Sequence, residues 1–343
     1  VTATVNGDEG IGRSGGNTLQ IVSAGQVDAE ADGPIHLTSV ADIANSGGNP
    51  LFVGLIDAGA NAVTLVGNAN VTDTGSDSAT DIIATTLTIN DGAGTPGSAG
   101  TITLDTAVTT LNLNGGAVTI HDGDGVDISS ITATSLDLLT TGAITDSGAV
   151  SVNDLAKFNS TGKAITLGDG TTANFGTLDF AGSAVTITES SDMMIAESEA
   201  TGALALASSN NKIEQSGRID AISTSSFNSG ANVITLTQAN DFAGAVSLTN
   251  TGDNLVQVTD ANAIDLGAVS VGGGALTVNS SGTISDSGAV SVAGLATFNS
   301  TGKSITLGDT TTLAMGSVDF AGSTVSIKES NAMVLEASEA VSY

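Results

Sequence analysis

Three copies of one short stretch decide the fold of this chain: Phe158-Asn-Ser-Thr-Gly-Lys-Ala-Ile-Thr-Leu167, Phe227-Asn-Ser-Gly-Ala-Asn-Val-Ile-Thr-Leu236 and Phe298-Asn-Ser-Thr-Gly-Lys-Ser-Ile-Thr-Leu307. Around the first and third copies, the segments that begin at Gly142 and Gly282 align without a gap, and about 38 of 62 aligned residues are identical. Such self-similarity is typical of stacked units, because each unit buries its apolar face only against its neighbours. The sequence therefore predicts regular repeats of about 70 residues over 142–343.

Short apolar strands separated by turn residues are the strongest local signal. The pattern (Ile/Leu/Val)-(Thr/Gln)-(Leu/Ile) recurs along the chain, for example at 102–104 and 165–167. Alternation places the aliphatic side chains on one face of each strand and the polar side chain on the other. Clusters of Gly, Asn, Asp and Ser follow and mark turns. No segment sustains the helical spacing of apolar residues, and even 193–206, the nearest approach to it, is interpreted as strand.

Three ladders of apolar residues advance together through the C-terminal half and predict how the strands stack. Their members are Val258, Val278 and Phe298; Ile264, Ile284 and Ile305; and Val269, Val290 and Val318, accompanied by Val271, Val292 and Phe320. Most steps are about 20 residues long, and the longer step from Val290 to Val318 is attributed to an insertion from Gly308 to Gly316. Three ladders indicate three strands per coil. We therefore expect an all-β fold, a right-handed parallel β-helix (β-solenoid) of about 20–28 residues per coil.

The composition fits a narrow interior lined by small and β-branched side chains. The chain has 44 glycines, 3% aromatic residues and no Trp or Cys, yet 40% of its residues are hydrophobic. Disordered chains lack that apolar content, so the sequence predicts a folded protein. Without cysteine, the fold owes nothing to disulfide bonds.

The charge of the chain limits its partners. Thirty-six acidic and seven basic residues give a net charge of -29. Nucleic acid and anionic membrane surfaces are excluded as partners, since no basic patch can replace the counterions of phosphate. No apolar run of about 18 residues or more occurs, so we expect no membrane insertion.

The whole chain, 1–343, is predicted to be a single solenoid. Residues 1–100 are less regular and contain all three prolines, Pro34, Pro50 and Pro96. Proline cannot donate to a strand ladder, so this part is expected to have longer loops or to form a cap. The chain begins at Val1 without a methionine, a basic start or an apolar stretch, which is typical of a processed product or of part of a longer polypeptide.

One longer stretch resembles a known group of proteins. Residues 240–253, continuing through 260–271 and 274–278, are similar to the repeats of filamentous-haemagglutinin-like and autotransporter-passenger adhesins of bacteria. The element Asp-Phe-Ala-Gly returns at 179–182 and 319–322, and the resemblance covers about residues 60–343. It implies a right-handed parallel β-helix, secretion, and a role as a stalk or fibre at the cell surface.

Candidate ligands for a metal ion are few. His36 and His121 are the only histidines, and with no cysteine they do not make a zinc site. Asp122, Asp124 and Asp127 lie on a glycine-rich turn and offer the hard oxygen atoms that Ca²⁺ prefers. We interpret these three as a candidate calcium site, with a solvated turn as the alternative. No other cofactor is expected.

These observations favour a non-enzymatic, extracellular structural protein of the bacterial cell surface. It would be the rigid stalk of an adhesin or the subunit of a self-assembling fibre, with copies of itself arranged head to tail, the longer parent polypeptide, or surface glycans as partners. The alternative is a carbohydrate-binding or polysaccharide-degrading β-helix protein. Catalysis would need carboxylates paired at a fixed separation within a cleft, and eight Phe, one Tyr and no Trp leave few platforms for sugar rings.

Overall fold

The computed structural model describes residues 2–5, 10–12, 18–21, 25–39, 50–67, 69–73, 78–90, 100–300, 302–336 and 339–340. These residues form strands and turns, and no helix occurs among them. Within the same ranges, no helical segment of a length and apolarity suited to crossing a bilayer is found. The chain divides into two compact units, residues 1–176 and 177–343.

Unit 1 contains fifteen described strands and the start of a sixteenth. They are β1 Thr2–Val5, β2 Leu19–Ile21, β3 Val27–Ala31, β4 Ile35–Ser39, β5 Leu51–Asp57, β6 Ala62–Val66, β7 Val71–Asp73, β8 Ile82–Asn90, β9 Ile102–Asn114, β10 Ala117–Asp122, β11 Val126–Ala133, β12 Ser135–Thr140, β13 Ile144–Asp146, β14 Val150–Asn159, β15 Ile165–Leu167 and β16 Ala173–Gly182. The described strands before residue 100 pair in the same parallel manner as the later ones. Residues 40–49 and 91–99, which include Pro96, lie outside the described residues, so the expectation of longer loops or a cap stays a prediction there.

Unit 2 contains the end of β16 and the remaining described strands. They are β17 Val185–Glu189, β18 Met193–Ile195, β19 Ser198–Ala200, β20 Leu204–Ser208, β21 Ile213–Gln215, β22 Ile219–Ala221, β23 Ser225–Asn228, β24 Ile234–Phe242, β25 Val246–Asn250, β26 Val256–Asp260, β27 Ile264–Val271, β28 Leu276–Ser280, β29 Ile284–Asp286, β30 Val290–Asn299, β31 Ser304–Leu307, β32 Leu313–Gly322, β33 Thr324–Ile327 and β34 Glu339–Ala340. The segment 193–206 is strand, as the sequence indicates.

Both units are β-solenoids of parallel strands, with about 13 turns of roughly 21 residues in all. Two of the expected ladders are confirmed in unit 2. Val258 pairs with Val278 and Val278 with Phe298, and all three are fully buried. The second ladder is equally direct, because Ile264 pairs with Ile284 and Ile284 with Ile305. Each coil therefore stacks its apolar side chains on those of the coil before it.

The prediction for the third ladder is wrong at its last step. Val290 pairs with Leu313, whereas Val318 pairs with Ala296, on the face that carries Phe298. The step from Val290 to its partner Leu313 is therefore shorter than the expected step to Val318. The extra residues before Leu313 form a loop that begins at Gly308. The loop is anchored on the preceding coil, since Gly308 N donates to Asp286 Oδ1 over 2.9 Å. Gly308 has a φ of 76°, in the left-handed region that favours glycine.

The same anchored loop occurs in unit 1 but is replaced in the middle copy of the repeat. In unit 1, Gly168 N donates to Asp146 Oδ1 over 3.0 Å, and Asp146 occupies the place of Asp286. The middle copy has Gln215 at this place. Gln215 Nε2 donates to Asn240 Oδ1 over 2.8 Å, and Asn240 Nδ2 donates to Gln215 Oε1 over 3.0 Å. A reciprocal pair of amides thus takes the place of the loop, and β24 continues through this point with a shift of register.

The repeat and the coil have different periods. Ile213 and Ile284 are equivalent residues of successive copies of the repeat. Ile213 lies in the column of Ile234 and Val256, whereas Ile284 lies in the column of Ile264. With roughly 21 residues per coil, a repeat of about 70 residues makes about three and a third coils. Equivalent residues of these two copies therefore lie on different faces of unit 2.

Replacement of Phe298 by alanine tests the stacking. The ring is fully buried between two coils, so Phe298→Ala is expected to lower the free energy of unfolding by about 3–5 kcal/mol. The neighbouring outward residue Thr297 provides the control, and Thr297→Ala is expected to change it by less than about 1 kcal/mol. Equilibrium urea denaturation measures both, and equal losses would contradict the assigned register.

Candidate functional site

The three aspartates predicted to bind calcium lie on one turn of unit 1 and the strand after it. Asp122 ends β10, Asp124 is exposed in the turn, and Asp127 belongs to β11. The Asp127 carboxylate accepts hydrogen bonds from Thr145 Oγ1 (3.3 Å) and Ser147 Oγ (2.5 Å). The structure does not gather the three carboxylates: among the described residues, a different group has its ligand atoms within 4.8 Å of one another. Calcium binding here stays a prediction.

The Asp122 carboxylate is buried and accepts hydrogen bonds from its own coil and from the preceding coil. Its Oδ2 accepts hydrogen bonds from Thr106 Oγ1 (2.7 Å) and Val108 N (3.0 Å), and its Oδ1 accepts one from Asp124 N (2.8 Å). Burial raises the pKa of Asp122 above its ordinary value, while these hydrogen bonds act in the opposite direction. Three donors thus occupy both oxygen atoms.

A buried acid of this kind occurs in each of the three copies and is followed in its column by two buried hydroxyl residues. In every column, an acid, a hydroxyl residue and the serine of the Phe-Asn-Ser motif follow one another on successive coils, all at most 4% exposed. The columns are Asp122–Thr140–Ser160, Glu189–Ser208–Ser229 and Asp260–Ser280–Ser300. The serine closes the turn, because its Oγ donates to the carbonyl oxygen three residues later over 2.5–2.6 Å.

Asp260 shows the same geometry as Asp122. Its Oδ2 accepts a hydrogen bond from Phe242 N (2.9 Å) of the preceding coil, and its Oδ1 accepts one from Asn262 N (2.6 Å). Burial raises the pKa of Asp260; the two hydrogen bonds lower it, and the charge of Asp241 raises it further. The repeated buried acid is therefore part of the corner structure.

The group that the structure does bring together is Asp73, Asp81 and Asp105 in unit 1. Their ligand oxygen atoms lie within 4.8 Å of one another. Asp73 ends β7, Asp81 precedes β8, and Asp105 lies at a corner within β9. Asp81 is 4% exposed, and its Oδ2 accepts a hydrogen bond from Asp105 N over 2.8 Å. Three carboxylates so placed can act as hard oxygen ligands for a divalent cation such as Ca²⁺ or Mg²⁺.

Asp73 and Asp105 also line a surface pocket of about 450 Å³. Its other lining residues are Thr72, Thr103, Leu104, Thr119 and His121. His121 Nδ1 lies 3.3 Å from Asp105 Oδ1, and the imidazole is about half exposed. The pocket therefore presents carboxylates, an imidazole and threonine hydroxyls to a small polar ligand.

Sequence reasoning missed this group because Asp105 lies on the coil that follows the coil of Asp73 and Asp81. Asp73, Asp105 and His121 belong to three separate strands, β7, β9 and β10, so no local motif contains them. The signal that finds them is the period of the coil. The strand pairing Asp105–His121 sets residues distant in sequence side by side.

The carboxylate group generates a prediction about stability. Asp105→Asn removes one of three neighbouring negative charges, so in chelator-containing buffer it is expected to raise Tm by about 2–4 °C, the shift that about 1 kcal/mol produces in a unit of this size. Asp137→Asn is the control: it makes the same change of net charge at a residue that pairs with Lys157. Added Ca²⁺ is expected to reduce the difference in Tm between the wild type and Asp105→Asn, because a bound cation offsets the repulsion among the carboxylates. If both variants shift Tm equally, no local repulsion exists.

The buried acids generate a prediction about pH. A pKa raised in the folded chain means that stabilisation is present at low pH and is lost as the pH rises through the folded pKa. The urea midpoint is therefore expected to increase as the pH falls from neutrality towards the pI of about 4.1. Loss of overall charge repulsion acts in the same direction.

Two variants of equal net charge separate these causes. Asp260→Asn removes a buried acid, whereas Asp265→Asn removes a half-exposed one that points outward. The pH dependence is expected to become shallower in Asp260→Asn than in Asp265→Asn. Identical slopes would assign the whole effect to net charge.

Comparison with known proteins identifies a repeat family. No curated protein and no solved structure matches the chain. One family model, described as "Repeats of unknown function (DUF5649)", matches residues 115–180, 182–249 and 252–327. Together these segments cover more than half of the chain, and each contains one acid–hydroxyl–serine column. The chain therefore belongs to the DUF5649 repeat family.

Proposed function

We propose that this chain is a non-enzymatic extracellular structural protein of the bacterial cell surface. It serves as a rigid stalk segment of an adhesin or as the subunit of an extracellular fibre. The observation that carries the proposal is the in-register parallel pairing of coil upon coil around a buried apolar core in each unit. The family match supports it, because all three matched segments are repeats of the same kind.

The mechanism of such a protein is mechanical. Backbone N–H and C=O groups along a strand bond alternately to the coil before and to the coil after, so bending a solenoid strains many hydrogen bonds at once. A strand edge left unpaired accepts another strand, which allows copies to join head to tail or a longer polypeptide to continue the stack. The resemblance to filamentous-haemagglutinin-like and autotransporter-passenger adhesins agrees with a location outside the cell.

Electron microscopy of the purified chain tests the fibre. With and without added Ca²⁺, negatively stained samples are expected to contain filaments that lengthen with protein concentration. Dispersed particles of constant length under every condition would discard self-assembly and leave the stalk. Protease treatment of intact source cells tests the location, since a surface protein is degraded while a cytoplasmic marker survives.

A second candidate function is favoured by the pocket of unit 1. Asp73, Asp105 and His121 place carboxylates and an imidazole in a depression, which is the chemistry of a carbohydrate-binding or polysaccharide-degrading β-helix. Incubation with neutral and acidic polysaccharides, followed by assays for new reducing ends and for unsaturated products, tests it. Turnover that is lost in Asp105→Asn would replace the structural proposal with an enzymatic one.

A further inference from the structure

Among the described residues of unit 2, one face carries no charged side chain over the coils from β17 to β30. The charge-free face comprises the outward residues of β17, β20, β23 and β25, the second half of β27 and the first part of β30. These residues are Thr186, Thr188, Ala205, Ala207, Ser226, Asn228, Ser247, Thr249, Ser270 and Ser291. They form two straight rows, because each pairs with its counterpart one coil away.

The other faces of unit 2 carry charged side chains, although one of them includes an uncharged row, Thr235, Gln257, Thr277 and Thr297. Glu199, Asp220 and Asp241 form a row of acids on adjacent coils. Arg218 Nη2 lies 3.7 Å from Asp241 Oδ2, and its Nε contacts Asp220. Glu214, on the remaining face, forms an ion pair with Lys212 at 2.8 Å. Carboxylates are thus kept off one flat surface of a chain with a net charge of -29.

Exposed aliphatic side chains border the charge-free face. Ile222, at the corner before β23, is 62% exposed, the largest value among the described large hydrophobic residues. Leu255 and Leu295, at the opposite corner, are 37% and 36% exposed. Covering these side chains would remove apolar surface from water, which favours a partner at this face.

We propose that the charge-free face is where two copies of this chain meet side by side. Two molecules of charge -29 repel each other, and every approach that sets carboxylates opposite carboxylates adds to that repulsion. Contact through this face adds less, because the nearest exposed acids, Asp192 and Asp253, lie at its corner and not on its strands. Short Ser, Thr and Asn side chains on a flat sheet let a second sheet approach to about 10 Å, the spacing of packed sheets.

The area of the face sets the strength of this contact. Six strands spaced by about 4.8 Å and about five residues long cover on the order of 400–500 Å², below the roughly 800 Å² per partner of a stable interface. Isolated copies therefore associate weakly. Because salt screens the remaining repulsion, with a Debye length of about 10 Å at 0.1 M and about 3 Å at 1 M, association is expected to strengthen with salt. This lateral contact does not depend on the proposed extracellular location or on head-to-tail joining.

Sedimentation velocity of the full chain tests the lateral contact. The wild type is expected to be monomeric at about 0.05 M NaCl and to form dimers at about 1 M NaCl. Thr249→Glu, on the charge-free face, is expected to remain monomeric in both. Thr277→Glu adds the same charge at a half-exposed outward residue of β28, on another face, and is expected to dimerise like the wild type. Matching thermal melts of the two variants exclude unfolding as the cause.

Cross-linking shows where the copies touch. The chain contains no cysteine, so a single Ser247→Cys or Thr277→Cys substitution gives one reactive thiol per molecule. At high salt, a short bis-maleimide is expected to link Ser247→Cys molecules and to leave Thr277→Cys molecules single. A monomeric wild type at high salt, equal loss of dimer in both glutamate variants, or equal cross-linking at both positions would each overturn the proposal.

Discussion

Each residue of a parallel solenoid has its counterpart one coil away as its closest neighbour outside its own strand, and the rest of this structure depends on that constraint. The backbone fixes the spacing at about 4.8 Å, so whatever is placed at one position is stacked on itself or on a near equivalent. Apolar side chains satisfy this at no cost, as Val258, Val278 and Phe298 do. Polar groups satisfy it only when each finds a donor or acceptor on its own coil or the next.

In the buried corner columns, the acid accepts hydrogen bonds and the serine donates one. In two of the columns the acid accepts N–H groups from the preceding coil and from its own turn, as Asp260 does from Phe242 and Asn262. The serine that ends the column donates to its own turn, as Ser300 does to the carbonyl of Lys303. A carboxylate placed there is desolvated, and this is why its pKa rises although it is hydrogen-bonded.

The sequence predicts the stacking of the coils only where the step between successive coils stays at about 20 residues. Steps of about 20 residues are visible within one copy of the repeat, so two ladders can be read directly. The third ladder fails because the loop at Gly308 adds residues between two strands, and the expected ladder passes over Leu313 and takes Val318 instead. The sequence does not predict the candidate site of Asp73, Asp81 and Asp105. Pairing between strands of different coils creates this site, and no pattern within a single strand reveals that pairing.

A repeat of about three and a third coils makes the same local sequence serve different faces. This is possible because every face contributes alternating buried aliphatic side chains to the core. The outward residues need not be aliphatic, since water solvates any polar side chain. Charge can therefore be distributed unevenly, as in unit 2, where Glu199, Asp220 and Asp241 share one face and another face has none. Rotation of the repeat conserves the core and leaves each face free to differ in what it presents.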